Sequence, residues 1–471
     1  MGGVVNIITR APHTDGWNAN ARLMYGSYNT QKYMGNTGVK TGKFDAFVSL
    51  NHDRTDGYRP RSDFHITNGY AKLGYKLSDH FKLWGDVSLA SFNVQNPGPE
   101  AAPMFDNIAD ILRGVASVSL ENNYEKTLGA LKFFYNFGDH EINDGHKEGE
   151  PQPNYYFRSK DHNYGIVWYQ VFQPIKGNMV TIGFDFKNFG GKAWDDYHGH
   201  APDEVNVDTS LYEVAGYLIM QQTLFEKVTL NAGVRLERNE RFGHEWIPQA
   251  GLAYRPCRHT VLKASVSKGF RSPNIRELYY KAGWAGANPD LEPERMWNYE
   301  VAVEQTFFDG RLALELAGYL ADGKNQIQTV GSYPNFRNVN TGEFLNKGFE
   351  FSFRWHALKN FNLQGNYSYL HMDTPLLYSP EHQIFLAANY RLNRWNFGAN
   401  YRFIDGLYSE TGASPAIETF AVLDAKVSFQ PLQWLGFFIK GENLTGRDYQ
   451  ILTGYPMPGV TVFGGVNVSL R

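Results

Sequence analysis

The sequence has little of the features that mark several common protein classes. A single cysteine, Cys257, in 471 residues excludes an internal disulfide and any metal site built from several cysteines. The 45 Lys and Arg nearly balance the 48 Asp and Glu, so a net charge of −3 leaves no basic field for nucleic acid. No apolar run approaches the roughly 18–20 residues that a membrane-spanning helix needs.

Catalytic and targeting patterns are also absent from the sequence. It contains no HExxH or GxSxG motif, and no helix-borne pair of carboxylates, so we predict neither an enzyme nor a bound cofactor. The residues after Met1 lack a basic region followed by an apolar one, as an exported chain would carry. Export needs such a region, so for an exported chain we expect the natural start to lie elsewhere.

What the sequence does contain is strict alternation of apolar and polar residues along its whole length. In the segment 227–238 every second residue is apolar, and Arg, Asn, Glu, Thr and Gly lie between them. The same period of two recurs at 297–304, 349–356, 395–403 and 460–470. This period is typical of extended strands with one apolar and one polar face. Averaging the two faces explains the negative mean hydropathy of −0.44.

Strand length and loop pattern separate a membrane barrel from a soluble sandwich, since both alternate. Alternating segments of 12–15 residues, such as 66–78, 80–93, 177–191, 226–240 and 310–323, exceed the roughly 5–6 residues of soluble strands. A tilted strand needs roughly 9–11 residues to cross the hydrocarbon. We therefore predict an all-β fold, a transmembrane antiparallel β-barrel of about 22 strands that protrudes on the outer side.

The predicted connections alternate between short turns and long loops, as in outer-membrane barrels with short periplasmic turns. The short ones are expected near 41–43, 78–80, 124–127, 173–177, 223–226, 255–258, 308–310, 357–360, 392–394 and 429–432. The long ones are expected at 54–66, 93–114, 138–155, 191–209, 269–294 and 445–458. The segment 325–346 fits either one strand or two.

Three stretches resemble the TonB-dependent outer-membrane receptor family. The sequence GGVVNIITR at 2–10 looks like the last strand of that family's plug domain. GFRSPNIRELY at 269–279, followed by NPDLEPE at 288–294, is similar to the family's "FRAP … NPNLKPE" region. GENLTGRDY at 441–449, with GYPMPG at 454–459, is close to the "NLFDKxY … PxPGR" region near the C-terminus. The matching family-motif residues are Phe270, Arg271, Pro273, Asn288, Pro289, Leu291, Pro293 and Glu294.

The resemblance implies a receptor for uptake of a large scarce nutrient across the bacterial outer membrane. It divides the chain into a plug remnant at 1–10 and a barrel at 11–471, with the rest of the plug missing. The implied partners are outer-membrane lipid, the barrel-assembly machinery, a ferric chelate or similar ligand, and the TonB–ExbB–ExbD complex acting through that missing plug. A plug-less fragment without function and a passive porin-like channel are the alternatives; an upstream plug in the reading frame would favour the receptor.

Candidate ligand contacts are expected where long loops crown the mouth of the barrel. His and aromatic side chains there could contact a metal chelate or stack on a macrocycle. The candidates are His140, His146, Trp194, Asp195, Tyr197, His198, His200, Tyr280 and Trp284. Solvated loop residues are the competing interpretation, and no spacing typical of a metal site is present.

The resemblance also bears on which ligand is expected. Heme receptors of the TonB-dependent family usually carry a histidine inside the interval that corresponds to 274–286, and this chain has none there. A ferric siderophore or similar chelate is therefore expected ahead of cobalamin or heme.

Overall fold

The computed structural model describes residues 15–280, 286–331, 336–411 and 415–470. The predicted plug remnant at 1–10 lies outside these residues. In chain order the strands are β1 (Gly16–Gly26), β2 (Thr30–Thr41), β3 (Phe44–Thr55), β4 (Phe64–Lys76), β5 (Phe81–Gln95), β6 (Met104–Asn123), β7 (Thr127–Lys147), β8 (Tyr156–Phe172), β9 (Asn178–Asp196), β10 (Glu204–Leu224), β11 (Val228–Asn239), β12 (Gly243–Cys257), β13 (Thr260–Arg271), β14 (Glu294–Phe307), β15 (Leu312–Lys324), β16 (Ile327–Val330), β17 (Arg337–Asn340), β18 (Glu343–Leu358), β19 (Phe361–Met372), β20 (His382–Leu392), β21 (Trp395–Glu410), β22 (Ala416–Leu432), β23 (Leu435–Glu442), β24 (Gln450–Leu452), β25 (Tyr455–Pro456) and β26 (Thr461–Leu470). One α-helix, α1 (Ile275–Tyr279), and a 3₁₀ turn (Ser27–Asn29) complete the elements described.

A single antiparallel sheet of 22 strands closes on itself. β1 pairs with β2 on one side and with β26 on the other, from Ala19↔Leu470 to Gly26↔Phe463. The predicted barrel and its strand number are confirmed. The segment 325–346 supplies no complete strand between β15 and β18; its hairpin β16–β17 forms a separate small sheet, and residues from Glu343 onward belong to β18.

The two faces of the wall differ as the alternation predicts. Leu218 and Met220 of β10 point outward and remain 47% and 49% exposed, because lipid rather than protein covers this face. The inward face carries paired charges instead: Arg235 of β11 contacts Asp185 of β9 and Glu237 of its own strand. A closed sheet leaves no unpaired edge in the hydrocarbon, which explains why this architecture tolerates a bilayer.

The long loops all lie at one end of the barrel and the predicted short turns at the other, although two connections at the loop end, 27–29 and 240–242, are also short. The turns are as short as residues 42–43 and 393–394, whereas 272–293 joins β13 to β14 at the other end. The expected turn at 429–432 is wrong, since β22 runs on to Leu432 and the turn is 433–434.

Three predicted loops prove shorter than expected, because the strands extend beyond the membrane. β6 begins at Met104 inside the predicted loop 93–114. β7 continues to Lys147 and β9 to Asp196, and β10 starts at Glu204, so the loops 138–155 and 191–209 shrink to 148–155 and 197–203. β7 and β10 reach 21 residues each. Above the bilayer both faces of a strand are wet, so alternation fades although the hydrogen-bonded ladder continues.

Within the described ranges no helix has the length and apolar character required to cross a membrane.

Candidate functional site

Between β13 and β14, the described residues 272–280 and 286–293 fold inward at the mouth of the barrel. Helix α1 begins with a capping box: Glu277 N donates to Asn274 Oδ1 at 2.9 Å, and Asn274 N donates to Glu277 Oε2 at 2.8 Å. Leu278 is fully buried and packs with Leu211 of β10 and with Leu291. Apolar contact with the inner wall therefore fixes a helix of five residues that would not be stable alone.

Arg271 holds the two ends of this segment together. It is the cross-strand partner of Glu294, and its Nε donates to Glu294 Oε2 at 2.7 Å. Its Nη1 donates to both carboxylate oxygens of Glu277 at 3.0 Å. One guanidinium thus links the last residue of β13, the first of β14 and the helix between them.

The remaining family-motif residues also lie where they shape this segment. Asn288 is buried; its Nδ2 donates to Asn338 O at 2.8 Å, and its Oδ1 accepts from Asp290 N at 3.0 Å. Pro273, Leu291 and Pro293 are buried as well. Pro289 is exposed, with its carbonyl accepting from Arg241, and Phe270 is half-buried near the end of β13.

A cavity of about 800 Å³ lies between α1 and the inner wall of β6 to β10. Its apolar lining includes Phe157 and Phe189, and Tyr280 closes it from the side of the helix. The rings of Phe157 and Tyr280 meet edge to face, with centroids 5.9 Å apart. An aromatic corner of this kind can hold a planar ligand group.

Charged groups line the opposite part of the cavity. Arg113 of β6 pairs with Asp161 of β8, and its Nη1 is 3.3 Å from His140 Nε2. His140 Nδ1 lies 2.8 Å from Ser159 Oγ. Arg276 of α1 also faces the cavity. The cavity therefore combines aromatic surface with the guanidinium groups of Arg113 and Arg276 and the carboxyl groups of Asp144 and Asp161. Guanidinium groups in such a lining can hold the anionic oxygens of a large ligand.

Burial changes the pKa of the groups at the upper edge of the cavity, beyond the bilayer. Burial raises the pKa of Tyr280 to about 12, with a further contribution from the carboxylate of Asp195. Desolvation also raises the pKa of Asp195, and neighbouring Glu204 and Asp144 add to this, against the hydrogen bond from Asn206. Both groups are therefore held toward their neutral forms.

The structure brings together some predicted contacts and separates others. His140 and Tyr280 line the cavity, and Asp195 lies close to Tyr280. His146 stacks on Phe105 higher on β7, at 5.7 Å. Trp194 lies beside Lys192, Tyr197 packs on Tyr155 at 5.6 Å, and His198 packs edge-on against Tyr156 at 4.7 Å. His200 is exposed in the turn 197–203, and Trp284 lies outside the described residues.

The predicted loop positions of His140, His146, Trp194 and Asp195 are wrong, since all four are on strands. Alternating strands put Trp194 on the outward face with Lys192, whereas Ala193 and Asp195 face inward. The sequence analysis did not identify four of the lining residues, namely Phe157, Phe189, Arg113 and Asp161. Only their positions on the inward-facing side of the alternating pattern could have indicated them, and every strand has such positions.

A second loop, 443–460, packs against the inner wall on the other side of the mouth. Tyr449 stacks on Phe420 of β22 at 4.2 Å, within a cluster that includes Ile404 and Leu407. Asn443 holds the base of the loop: its Nδ2 donates to Arg447 O at 2.8 Å and to Pro458 O at 3.1 Å. The motif beginning at Asn443 thus has a structural role in the loop.

Over the ranges given above, no three His, Cys, Asp or Glu side chains are arranged to hold a metal ion.

Comparison with known proteins places the chain in a family. The family model described as "TonB dependent receptor-like, beta-barrel" matches residues 9–444. The iron-regulated outer membrane virulence protein of Vibrio cholerae serotype O1 is 23% identical over 466 residues, covering 88% of this chain and 68% of that protein.

Solved structures share the fold at low sequence identity. The ferric-catecholate import receptor Fiu from K12 E. coli superposes with a TM-score of 0.83 at 15% identity, covering 99% of this chain and 83% of that chain. The copper transporter OprC gives 0.82 at 14% identity, covering 97% and 80%. Family and fold are those of receptors and transporters. A closed barrel with a lipid-facing wall, short turns at one end and a family match over most of its length leads to one conclusion: the chain belongs to the TonB-dependent receptor-like β-barrels of the bacterial outer membrane.

Proposed function

We propose that this receptor takes up a metal chelate, a ferric siderophore in the first place, and binds it in the cavity beside α1. The observation that carries the proposal is the joint lining by Phe157, Phe189 and Tyr280 with Arg113 and Arg276. The volume of about 800 Å³ lies within the range of roughly 300–1,000 Å³ that is usual for ligand sites. The iron-regulated relative supports iron as the cargo.

Energy for uptake would come from TonB–ExbB–ExbD acting through a plug domain, as in other members of the family. The barrel-assembly machinery would insert the chain into the outer membrane. Loop candidates above the cavity, such as Tyr197 and His198, would meet the chelate before it reaches the aromatic corner.

Binding is tested with the purified barrel in detergent and three probes: ferric desferrioxamine B, iron complexed by three 2,3-dihydroxybenzoates, and cyanocobalamin. Quenching of aromatic fluorescence reports affinity. We expect one of the two iron complexes to bind, and Tyr280→Ala or Arg276→Ala to weaken that binding about tenfold. Tyr135→Ala is the matched control, because Tyr135 lies on β7 but 48% exposed on the lipid face. Equal loss in all three variants, or preference for cyanocobalamin, would refute the proposal.

Transport is tested in iron-starved cells with a radioactive iron chelate. Receptor-mediated uptake should collapse when a protonophore removes the energy source, whereas a passive porin would continue to equilibrate the label.

A further inference from the structure

The ten short turns form a continuous ring at one end of the barrel, which we name the short-turn rim. It comprises residues 42–43, 77–80, 124–126, 173–177, 225–227, 258–259, 308–311, 359–360, 393–394 and 433–434. Short turns face the periplasm in outer-membrane barrels. The rim therefore lies at the level of the headgroups of the periplasmic leaflet, which consists of phospholipid.

The short-turn rim is positively charged, although the whole chain is slightly negative. Its turns contain eight Lys or Arg against four Asp or Glu, a net charge of +4. The loops at the opposite end contain seven Lys or Arg against thirteen Asp or Glu, a net charge of −6. The cations are spread around the ring, one in each of eight turns: Lys43, Lys126, Lys176, Lys227, Arg258, Arg311, Lys359 and Arg394.

Most of these cations have no carboxylate partner within the barrel. Among the residues that the structure describes, only Lys176 of the eight is in a salt bridge, with Glu226 of the neighbouring turn at 3.2 Å. On the inner wall some cations do pair, as Lys82 and Arg235 both contact carboxylates. The other seven rim cations are thus available to anions outside the protein.

Large apolar side chains also protrude from these turns and from the strand ends beside them. Phe225 is 90% exposed, and Ile175, Phe308 and Leu358 are between 62% and 66% exposed. Phe225 and Phe308 have φ angles of 53° and 54°, a backbone region that bulky residues rarely adopt. Neither packing nor turn chemistry accounts for phenylalanine at these two positions, where Asn or Gly would be unstrained.

These side chains continue the lipid-facing surface toward the periplasm. Outward-facing Leu224 directly precedes Phe225, and Phe307, itself 41% exposed, precedes Phe308, their rings 6.4 Å apart. This combination of apolar residues at the end of a lipid-facing wall and cations beside them is suited to binding a layer of lipid headgroups. The aromatic rings enter the boundary of the acyl chains, and the cations contact phosphate groups.

We propose that the short-turn rim binds anionic phospholipid of the periplasmic leaflet, and so fixes the height and tilt of the barrel in the membrane. The occupant is a phosphodiester lipid of net negative charge, such as phosphatidylglycerol, in preference to zwitterionic phosphatidylethanolamine. Charge complementarity and continuity with the lipid-facing wall both select it.

The test is native mass spectrometry of the detergent-solubilised protein titrated with phosphatidylglycerol or phosphatidylethanolamine. We expect phosphatidylglycerol to be retained about fivefold more tightly, and this preference to vanish as added salt screens the charges. The variant Lys176→Gln/Lys227→Gln/Arg311→Gln/Lys359→Gln should lose the preference. Lys160→Gln/Lys192→Gln, which removes charges near the opposite end, should keep it.

The apolar part of the proposal has its own variant, Phe225→Asn/Phe308→Asn. It should weaken retention of both lipids about twofold while the thermal unfolding midpoint stays the same or rises, because strain is relieved. Equal retention of the two lipids by the unaltered protein, or loss of the preference only in the Lys160/Lys192 variant, would overturn the proposal. So would a rim variant that retains lipid normally but lowers uptake in cells, since the rim would then contact a protein.

Discussion

Arg271 and Glu294 are cross-strand partners 23 residues apart in sequence, and their side chains join at 2.7 Å where the inward-folded segment leaves and re-enters the wall. Glu277 binds the same guanidinium from the helix between them. The contact joins the two ends of a long loop and so fixes where the loop begins and ends. Its geometry is what allows α1 to cover one side of the cavity.

Removing that guanidinium should release the segment. Arg271→Ala leaves Glu277 and Glu294 without their shared partner. We therefore expect the free energy of local opening of 272–293 to fall by about 2–3 kcal/mol. Amide hydrogen exchange at Leu278 and Leu291 measures this. Arg271→Lys keeps the charge but loses the fork, and should give an intermediate value.

The control for this prediction is Lys324→Ala, which breaks the well-exposed pair of Lys324 with Glu343 at the loop end of the next hairpin. Exposed pairs contribute about 0–1 kcal/mol, so exchange should hardly change. Comparable effects of Arg271→Ala and Lys324→Ala would show that Arg271 does not hold the segment.

Asn443 should be as important to the second loop. Asn443→Ala removes two donated hydrogen bonds and the one accepted from Arg447 N at 3.0 Å, and places alanine at a φ of 47°. We expect a loss of about 2–3 kcal/mol in local stability. Limited proteolysis within 443–460 should accelerate accordingly.

Two companion variants calibrate this result. Thr445→Ala removes only a long contact of 3.4 Å and should leave proteolysis unchanged. Asn443→Asp keeps the acceptor and loses the donors, so it should lie between the two. Rapid cleavage in Thr445→Ala would indicate that the turn as a whole, rather than Asn443, secures the loop.

The buried phenol of Tyr280 should ionise late in an alkaline titration. Its pKa is raised to about 12, chiefly by desolvation. The rise of tyrosinate absorbance near that pH should therefore include a component that Tyr280→Phe removes. Difference titration of the two proteins isolates that component. A lost component centred near the ordinary value of about 10 would mean that water reaches the phenol.

Asp195 and Asp196, adjacent at the loop end of β9, should respond to pH in opposite directions. The pKa of Asp195 is raised by desolvation and nearby carboxylates, so its contribution favours the folded mouth at low pH and is lost as pH rises through the folded pKa. Asp195→Asn should slow hydrogen exchange in 197–203 about twofold at pH near 7, and have no effect at acid pH.

The pKa of Asp196 is lowered, first by the hydrogen bond from His198 N at 2.8 Å and also by Arg158. Its stabilisation is present above the unfolded pKa and is lost as pH falls. Asp196→Asn should therefore speed exchange in the same turn at neutral pH. If both variants shift exchange in the same direction, the two carboxylates do not differ in environment as described.

Prediction from sequence succeeded where one physical pattern dominated. The alternation of 227–238 predicts β11 because lipid on one side and water on the other select residues at every second position. It failed at the outer ends of β7 and β9, where Asp144 and Trp194 look like loop residues because no bilayer imposes a contrast there. Trp194 and Asp195, neighbours in sequence, lie on opposite faces of the wall, so only one of them approaches Tyr280.

The sequence by itself determined the barrel, the number of strands, the end with short turns and the family. Each of these can be predicted because it depends on local periodicity or on contiguous motifs. Only the tertiary structure decided which inward residues form the cavity. Phe157, Arg113 and Tyr280 line one cavity because the sheet closes with a particular stagger and α1 packs against the inner wall. The stagger of the barrel results from the pairing registers of all 22 strands together, so it cannot be predicted from any local stretch of sequence.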